Sequence, residues 1–434
     1  MKNILYEFSE QDHRNRLFNI RQVERQMTRC AKKEQIFDYE PGQFIYPGLE
    51  PGKPEEDEAL FKKMSEAGVK YMYLWSGWAA KENKWGGDDM YAPKDPEAAK
   101  EFLALAHKYG LRVLPYTSSN FFKYPSKHFN PDWAWPLTHP EYLDNMLGTT
   151  ELAHCSPTSP GWRELIFKMY TKLLDNYDFD GLYVDSGYFR RSDYLESWKY
   201  YYEEPVMVKD EVLAFREEAD HDGGMEDFLS ILYHEVKKRG KTMTVFKEGC
   251  DRFYTDSRIS DYMLAGEAAK DIDFVRRKIW DFPHVMLDFS PPEPMDEMEY
   301  YLNSMPFLHF PILKKKAITV PNKDAIIPKF DESLEWVKLF KEMTHDATWC
   351  YIDIDCPKLV KGELDDVVVT CYVNSDFYML LANYSHTDSK KIHLRDNYVE
   401  ICPNKPQAEV PHDITLKPRE LKILKIASWS EEAK

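Results

Sequence analysis

Between residues 44 and 345 the chain alternates short, β-prone apolar stretches with amphipathic helical ones, and this alternation limits the possible folds more than any other feature. Strands that alternate with helices at this interval build parallel β-sheets. About eight strands can be counted, which is the number that closes a (β/α)8 TIM barrel. They lie near residues 44–46, 69–75, 111–116, 181–185, 242–246, 262–265, 284–287 and 305–312.

An open, doubly wound sheet is the alternative arrangement for the same alternation of elements. Such sheets usually carry a glycine-rich turn that binds phosphate, and neither GxGxxG nor GxxxxGK[ST] occurs in this sequence. We therefore predict a closed barrel within residues 1–350. An accessory helix at residues 12–33, where apolar residues recur at helical spacing, precedes it.

The composition changes near residue 350, where the helical patterns end. Short strands separated by turn residues follow, near residues 367–373, 377–384, 391–395, 399–402 and 421–426. Short strands at such spacing are typical of an antiparallel β-sandwich. We therefore predict an α/β chain of two domains, a catalytic barrel at residues 1–350 and a C-terminal antiparallel β-sandwich domain at residues 351–434.

The charge and the apolar runs of the sequence exclude two classes of partner. A net charge of −17 argues against nucleic acid and against an anionic membrane surface. No apolar run approaches the roughly 20 residues that a membrane helix needs. The aromatic share of 15%, with 11 Trp and 28 Tyr, suits a ligand with flat apolar faces, such as a sugar.

The cysteines and the first residues bear on the cellular compartment. The seven cysteines are scattered, and an odd set without paired CxxC spacing favours free thiols over a disulfide framework. The chain turns acidic at Glu7 and lacks the long apolar core of a signal peptide. We therefore expect a cytoplasmic protein with reduced cysteines.

Carboxylates stand at the C-terminal ends of four consecutive predicted strands, where (β/α)8 barrels expose their chemistry. Every second side chain of a strand points to the same face, so parity assigns each carboxylate to a face. Glu267, for example, has the parity of Met263, which we expect to face the barrel axis. By this reasoning four carboxylates surround one cleft, namely Asp185, Glu248, Glu267 and Asp288.

Two carboxyl groups placed across one glycosidic bond are the requirement for glycoside hydrolysis. A gap of about 5–5.5 Å gives retention of the anomeric configuration through a covalent intermediate, and roughly 6.5–9.5 Å gives inversion by water. Neighbouring strands are roughly 4.8 Å apart, so Asp185 and Glu248 on adjacent strands favour the shorter gap. Glu267 lies one strand further round, and its pairing with Asp185 favours the wider gap.

The stretch FDGLYVD at residues 179–185 resembles the fourth-strand motif of retaining (β/α)8 glycoside hydrolases, in the α-amylase superfamily and in the endo-α-N-acetylgalactosaminidase-like barrels. The resemblance implies that Asp185 is the nucleophile and that Glu248 is the general acid/base. Many of these enzymes also carry a C-terminal β-sandwich. The chain departs from the α-amylase pattern at Tyr183, which replaces an Arg, and at Leu287, which replaces a His.

Seven residues near the strand ends are predicted to bind the substrate, namely Trp75, Trp78, Tyr116, His154, Tyr188, Glu267 and Asp288. The two tryptophans suit stacking on a sugar ring, and packing in the core or at its rim is the alternative. For His154 the alternative is a role in fixing its loop. No second His or Cys lies at ligand spacing from His154 and Cys155, so we predict no metal and no cofactor.

The sequence thus predicts a cytoplasmic glycoside hydrolase that cleaves oligosaccharides with retention. Asp185 is its nucleophile and Glu248 its acid/base. Two alternatives stay open at this point. One is an inverting enzyme in which Glu267 replaces one partner, and the other is a barrel that binds carbohydrate without cleaving it.

Overall fold

The fold is that of a computed structural model of the 434-residue chain. It describes residues 9–26, 32–36, 39–48, 53–75, 77–80, 86, 90–119, 121–123, 126–130, 133, 152–156, 159–185, 207–208, 211–212, 221–246, 259–265, 285–287, 296–315, 328–352 and 359–430. The chain divides into two compact units. The parallel-sheet unit comprises Gln43–Glu66 and Lys70–Ala268, and the sandwich unit comprises Met1–Gly42, Ala67–Val69 and Ala269–Lys434.

The described helices and strands follow the predicted alternation up to about residue 345. The helices are α1 (Glu10–Gln26), α2 (Pro54–Glu66), α3 (Pro96–Lys108), α4 (Pro160–Asn176), α5 (His221–Lys238), α6 (Glu297–Leu302) and α7 (Phe330–Thr344), with a 3-10 turn at Met305–Phe307. The strands up to that point are β1 (Lys32–Gln35), β2 (Phe44–Tyr46), β3 (Tyr71–Leu74), β4 (Arg112–Ser118), β5 (Phe121–Lys123), β6 (Leu152–His154), β7 (Gly181–Asp185), β8 (Met207–Val208), β9 (Glu211–Val212), β10 (Thr242–Phe246), β11 (Tyr262–Ala265), β12 (Val285–Leu287) and β13 (His309–Pro311).

The remaining strands belong to the C-terminal part of the chain. They are β14 (Thr348–Ile352), β15 (Val360–Gly362), β16 (Val367–Val373), β17 (Phe377–Asn383), β18 (Lys390–Leu394), β19 (Asn397–Glu400), β20 (Ala408–Val410), β21 (Asp413–Leu416) and β22 (Leu421–Ser428). The predicted boundary between residues 350 and 351 falls inside β14. The division into domains at that position stays a prediction.

In the parallel-sheet unit, six described strands are hydrogen-bonded in the order β2-β3-β4-β7-β10-β11, all of them parallel. The strand β7 therefore lies between β4 and β10. Tyr183 at its centre is opposite Tyr116 of β4 and Thr244 of β10. Residues that are directly opposite in a parallel pair point to the same face, so these three side chains share one face of the sheet.

That face is concave, as side-chain contacts between distant strands show. The ring of Tyr71 on β3 lies 5.3 Å from the ring of Tyr262 on β11, four strands away. In a flat sheet these strands would be about 19 Å apart. The Tyr73 hydroxyl likewise lies 3.0 Å from the hydroxyl of Thr244, three strands away. The sheet is therefore curled, with tyrosine and threonine side chains filling its inner side.

The outer face of the sheet packs against the helices that connect its strands. Tyr46, at the end of β2, donates a hydrogen bond of 2.8 Å from its hydroxyl to Asp57 of α2. Its ring also lies 5.0 Å from the ring of Phe102 on α3. Alternate side chains of β2 therefore point to opposite faces of the sheet, and Tyr46 points to the outer face, which the helices cover.

Aspartates at the N-terminal edge of the sheet fasten neighbouring strands to each other. Asp180 precedes β7, and its carboxylate accepts hydrogen bonds of 2.8 Å from the Val113 amide of β4 and, on the same oxygen, from His107 Nε2 of α3. Asp261 precedes β11, and it accepts one of 2.9 Å from the Met243 amide of β10. These two aspartates serve the fold, because they are anchored at the edge opposite to the strands' C-terminal ends.

The contact between His107 and Asp180 should make the stability depend on pH. The hydrogen bond to Asp180 raises the pKa of His107 above its usual value near 6.5, against the opposing effect of partial burial. The folded pKa exceeds the unfolded one, so this stabilisation is complete below about pH 6.5 and disappears as the pH rises through the folded pKa. His107→Gln should therefore lower the free energy of unfolding by about 1 kcal/mol at acidic pH and by less at pH 9.

Urea unfolding of the wild type and the variant at about pH 5.5 and 9 measures this difference. His234→Gln, which replaces an exposed histidine of α5, is the matched control and should change stability little at either pH. An equal loss for His107→Gln at both values would contradict the assignment.

Two antiparallel sheets form the core of the sandwich unit. One has the strand order β1-β14-β16-β17-β22-β19-β20 and the other the order β15-β18-β21. Their buried side chains join in one hydrophobic cluster, to which β16 and β17 contribute Val369 and Met379, and the smaller sheet contributes Ile392 and Leu416. Two sheets that share a core between them are a β-sandwich, so this part of the prediction is confirmed.

The same unit also contains a parallel pair, β12 and β13. With it, every one of the eight predicted strand positions holds a strand in parallel pairing. The described strands form an open series, and so the closed barrel stays a prediction. The described cysteines, none of which forms a disulfide, are Cys155, Cys350, Cys371 and Cys402.

Candidate active site

Asp185 is the last residue of β7 and lies at the C-terminal edge of the curled sheet. Gly181, Tyr183 and Asp185 alternate along one face of the strand, and Tyr183 belongs to the concave side, where its ring lies 5.2 Å from that of Tyr73. Asp185 therefore points toward the inner side, at the end of the sheet where parallel α/β proteins place their chemistry. The side chain is half-buried.

Strand β4 holds Asp185 at both its side chain and its backbone. The Tyr116 hydroxyl donates a hydrogen bond of 2.6 Å to Asp185 Oδ2. Ser119, just beyond β4, donates to the Asp185 carbonyl oxygen from its backbone amide at 3.1 Å and from its hydroxyl at 3.3 Å. The carboxylate thus occupies a defined position relative to the neighbouring strand.

Tyr116 is buried, with 5% of its surface exposed. Burial, and next the charge of Asp185, raise the pKa of Tyr116 well above 10, so the phenol stays protonated and acts as a donor. Its ring lies 5.6 Å from the ring of Trp75 and 5.7 Å from that of Tyr183. Tyr116 therefore lies beside the carboxylate, and its role in binding the substrate stays a prediction.

Trp75 follows β3 directly and has the parity of Tyr73, so it lies on the inner side of the sheet. The residue is half-buried, and its ring lies 6.2 Å from the ring of Tyr183. Trp75 thus belongs to the same aromatic cluster as Tyr116, beside Asp185. This arrangement suits the predicted stacking on a sugar ring.

Trp78 has a different environment from Trp75. It is fully buried, its indole nitrogen donates a hydrogen bond of 3.0 Å to the Tyr116 carbonyl oxygen, and its ring lies 5.3 Å from that of Phe179. A tryptophan without exposed surface offers no face to a ligand. The predicted substrate-binding role of Trp78 therefore needs correction, and core packing, the alternative interpretation, describes its contacts.

The register of β11 corrects the parity argument for Glu267. Tyr262 is opposite Thr244 and Met263 is opposite Val245. Because Tyr262 and Thr244 lie on the concave side, Met263 points to the outer face. The expectation that the parity of Met263 leads into the cleft is therefore wrong, and it no longer supports a cleft position for Glu267.

Several predicted site residues lie outside the described residues, namely Glu248, Glu267, Asp288 and Tyr188. For His154 the backbone is described. It ends β6, which pairs antiparallel with β5, and is opposite Phe121. The roles predicted for these residues stay predictions.

Two serines beside the candidate nucleophile were not predicted from the sequence. Ser118 is opposite Asp185 in the register of β4 and β7, and Ser119 binds the Asp185 backbone. Ser118 is fully buried, and its hydroxyl has no hydrogen-bond partner among the described residues. Parity with Tyr116 was the available signal for Ser118, since it lies two residues further along the same strand.

The described side chains provide no obvious place for a metal ion. Within the described ranges, no group of three or more His, Cys, Asp or Glu has a metal-binding arrangement. None of the described helices is both long and apolar enough to cross a membrane. The chemistry of the visible site is that of one carboxylate, one phenol and an aromatic surface.

No protein-family model matches the chain, and no curated protein matches it at a significant level. Solved structures of glycoside hydrolases share its fold. Maltogenic α-amylase AmyB from Thermotoga neapolitana has a TM-score of 0.56 at 13% identity, with 90% of this chain and 99% of that chain covered. The α-amylase of Geobacillus thermoleovorans has a TM-score of 0.53 at 11% identity, with 89% and 98% covered.

A second group of similar structures consists of α-galactosidases. AgaB of Geobacillus stearothermophilus, a GH36 enzyme, has a TM-score of 0.56 at 10% identity, and the match covers 96% of this chain and 59% of that chain. Identities this low show a common fold and nothing finer. The common fold confirms the remote resemblance to glycoside hydrolase barrels that residues 179–185 predicted.

Proposed function

We propose that the chain is a retaining glycoside hydrolase that cleaves oligosaccharides, with Asp185 as nucleophile and Glu248 as general acid/base. The observation that carries the proposal is the setting of Asp185. Asp185 is the last residue of β7 and points to the inner side of the sheet. It accepts a 2.6 Å hydrogen bond from Tyr116, whose ring lies beside the half-buried Trp75. The glycosidase folds of the similar structures support the same conclusion.

The reaction takes place in two steps. In the first, a carboxylate oxygen of Asp185 forms a bond to the anomeric carbon while the bond to the leaving oxygen breaks, and Glu248 gives that oxygen its proton. In the second, Glu248 takes a proton from water, whose oxygen attacks the anomeric carbon and releases the Asp185 carboxylate. Two inversions at one carbon retain its configuration.

The pairing of β7 with β10 supports the choice of Glu248 as the partner. The two strands are hydrogen-bonded neighbours, and neighbouring strands are roughly 4.8 Å apart. Thr244 is on the concave side, and Glu248 has the same parity in the sequence, so we expect it to face that side. Carboxyl groups at the ends of adjacent strands suit the gap of about 5–5.5 Å that retention requires.

The similar structures also suggest which substrates to try. One was solved with acarbose, and α-galactosidase AgaA variants were solved with stachyose and raffinose. We infer that this chain acts on α-linked oligosaccharides. We also propose that the protein acts in the cytoplasm, where its cysteines are expected to stay reduced.

Hydrolysis of aryl glycosides tests the proposal. We expect one group of aryl α-glycosides to be hydrolysed, with a first-formed sugar that has the configuration of the substrate. A survey of aryl glycosides in both anomers, followed by proton NMR of the fresh product, measures both points. The matching survey with an Asp185→Asn variant shows whether turnover belongs to this site.

The other possibilities predict different results in the same survey. A product of inverted configuration would favour the inverting enzyme that uses Glu267. Binding of oligosaccharides without turnover of any aryl glycoside would favour a carbohydrate-binding barrel. Either result would overturn the retaining mechanism.

A further inference from the structure

The hydrogen bond from Tyr116 to Asp185 joins two neighbouring strands at the C-terminal edge of the sheet. Tyr116 is opposite Tyr183, and its side chain reaches past that pair to the carboxylate two residues further along. We propose that Tyr116 is a positioning residue, which fixes Asp185 Oδ2 and thereby orients the carboxylate for attack. This inference rests on the proposed function.

Three neighbouring side chains hold Tyr116 in its position. Trp75 and Tyr183 pack against its ring, and the Trp78 indole binds its backbone carbonyl. A buried ring with two aromatic neighbours has little rotamer freedom. The buried Trp78 therefore serves the site indirectly, because it anchors the strand that carries the phenol.

The hydrogen bond also influences the charge of the nucleophile. A donor to the ionised form of a carboxylate favours that form, and a nucleophilic Asp must be ionised. Tyr116 keeps its proton because burial and the charge of Asp185 raise its pKa. It therefore supplies the hydrogen bond throughout the pH range in which an enzyme of this kind works.

Two further tyrosines in the described part of the chain interact with the charge of Asp185. Tyr91, before α3, and Tyr170, on α4, both interact electrostatically with Asp185, and burial raises the pKa of each. Tyr183 adjoins Tyr116 on the inner face. The raised pKa keeps Tyr91 and Tyr170 neutral near pH 7, and Tyr116 differs from them because it donates a direct hydrogen bond to the carboxylate.

The Tyr116→Phe variant tests the inference, because it keeps the ring and removes the donor. We expect kcat to fall roughly tenfold or more and the acidic limb of kcat/KM against pH to move upward by about one unit, since Asp185 then holds its proton at higher pH. Tyr73→Phe is the matched control. It removes a phenol from the same concave face, where that phenol bonds Gln43 and Thr244, and it should leave the acidic limb in place.

Substituting 3-fluorotyrosine at position 116 provides a second measurement if the Phe variant folds poorly. The more acidic phenol donates a stronger hydrogen bond, so the acidic limb should move downward. A Tyr116→Phe variant with the pH profile and kcat of the wild type would overturn the positioning role and leave the glycosidase proposal intact. A wild type that hydrolyses no glycoside would overturn both.

Discussion

Gly181→Ala should destabilise the protein by about 3 kcal/mol or more, which is at the upper end for overpacking of a core. Gly181 opens β7, directly opposite Thr242 of β10. A Cβ atom at this position would overlap the Thr242 carbonyl oxygen and would come within 2.7 Å of the Thr242 carbonyl carbon. The obstacle is backbone, so relief requires the two strands to separate.

Gly77→Ala is the matched control for this prediction. A Cβ at Gly77 would lie 3.5 Å from the Pro47 carbonyl oxygen, which is an ordinary contact. Urea unfolding of both variants measures the difference, and the control should change the free energy of unfolding by less than about 1 kcal/mol. Similar stabilities for the two alanine variants would contradict the close approach of β7 and β10.

The motif at residues 179–185 combines two functions, and the sequence alone did not separate them. Asp180 and Gly181 serve the fold, because one ties β7 to β4 and the other allows close approach to β10. Asp185, at the opposite end of the strand, is the candidate for chemistry. The resemblance concerns residues 179–185 as a whole, yet some of these residues serve the fold and another is the candidate for catalysis.

Elements with a clear local period were predictable from the sequence. The strands β2, β7 and β10 were predicted within a residue of their observed bounds. Each is a short apolar strand that ends at a turn signal, so neighbouring residues determine it. Tertiary packing stabilises such elements and has little influence on the residues at which they begin and end.

Elements that depend on a distant partner were not predictable in this way. Strand β1 has the sequence KKEQ, which has no strand pattern, and it forms because it pairs with β14. The predicted helix at residues 12–33 therefore extended too far, since α1 ends at Gln26. The antiparallel pair of β5 and β6, which matches none of the predicted strands, is a further case.

The candidate site shows the same limit. Parity along a strand correctly gave Asp185 and Tyr116 one face, yet it failed for β11, because the chain enters that strand with Tyr262 facing inward. Parity fixes which residues share a face, and only the pairing register fixes which face it is. The hydrogen bond between Tyr116 and Asp185 depends on the register of β4 and β7 and could therefore not be predicted from the sequence.

Asp185→Asn is expected to cause the largest loss of activity, on the order of 10³-fold or more in kcat, because an amide cannot act as the nucleophile that the mechanism requires. The folded state should change little. The side chain is half-buried at the edge of the sheet, and an amide oxygen still accepts a hydrogen bond from Tyr116. Steady-state rates on the best aryl glycoside, together with thermal unfolding, measure both effects.

Asp180→Asn is the control, because it makes the same chemical change at the other end of the same strand. It weakens the contact with His107 and should lower the free energy of unfolding by about 1 kcal/mol, while kcat stays within a few-fold of the wild type. Asp185→Asn should therefore lose activity and keep its stability, whereas Asp180→Asn should lose stability and keep its activity. Comparable losses of kcat in both, or an Asp185→Asn variant that keeps more than about a tenth of the activity, would remove Asp185 from the nucleophile role.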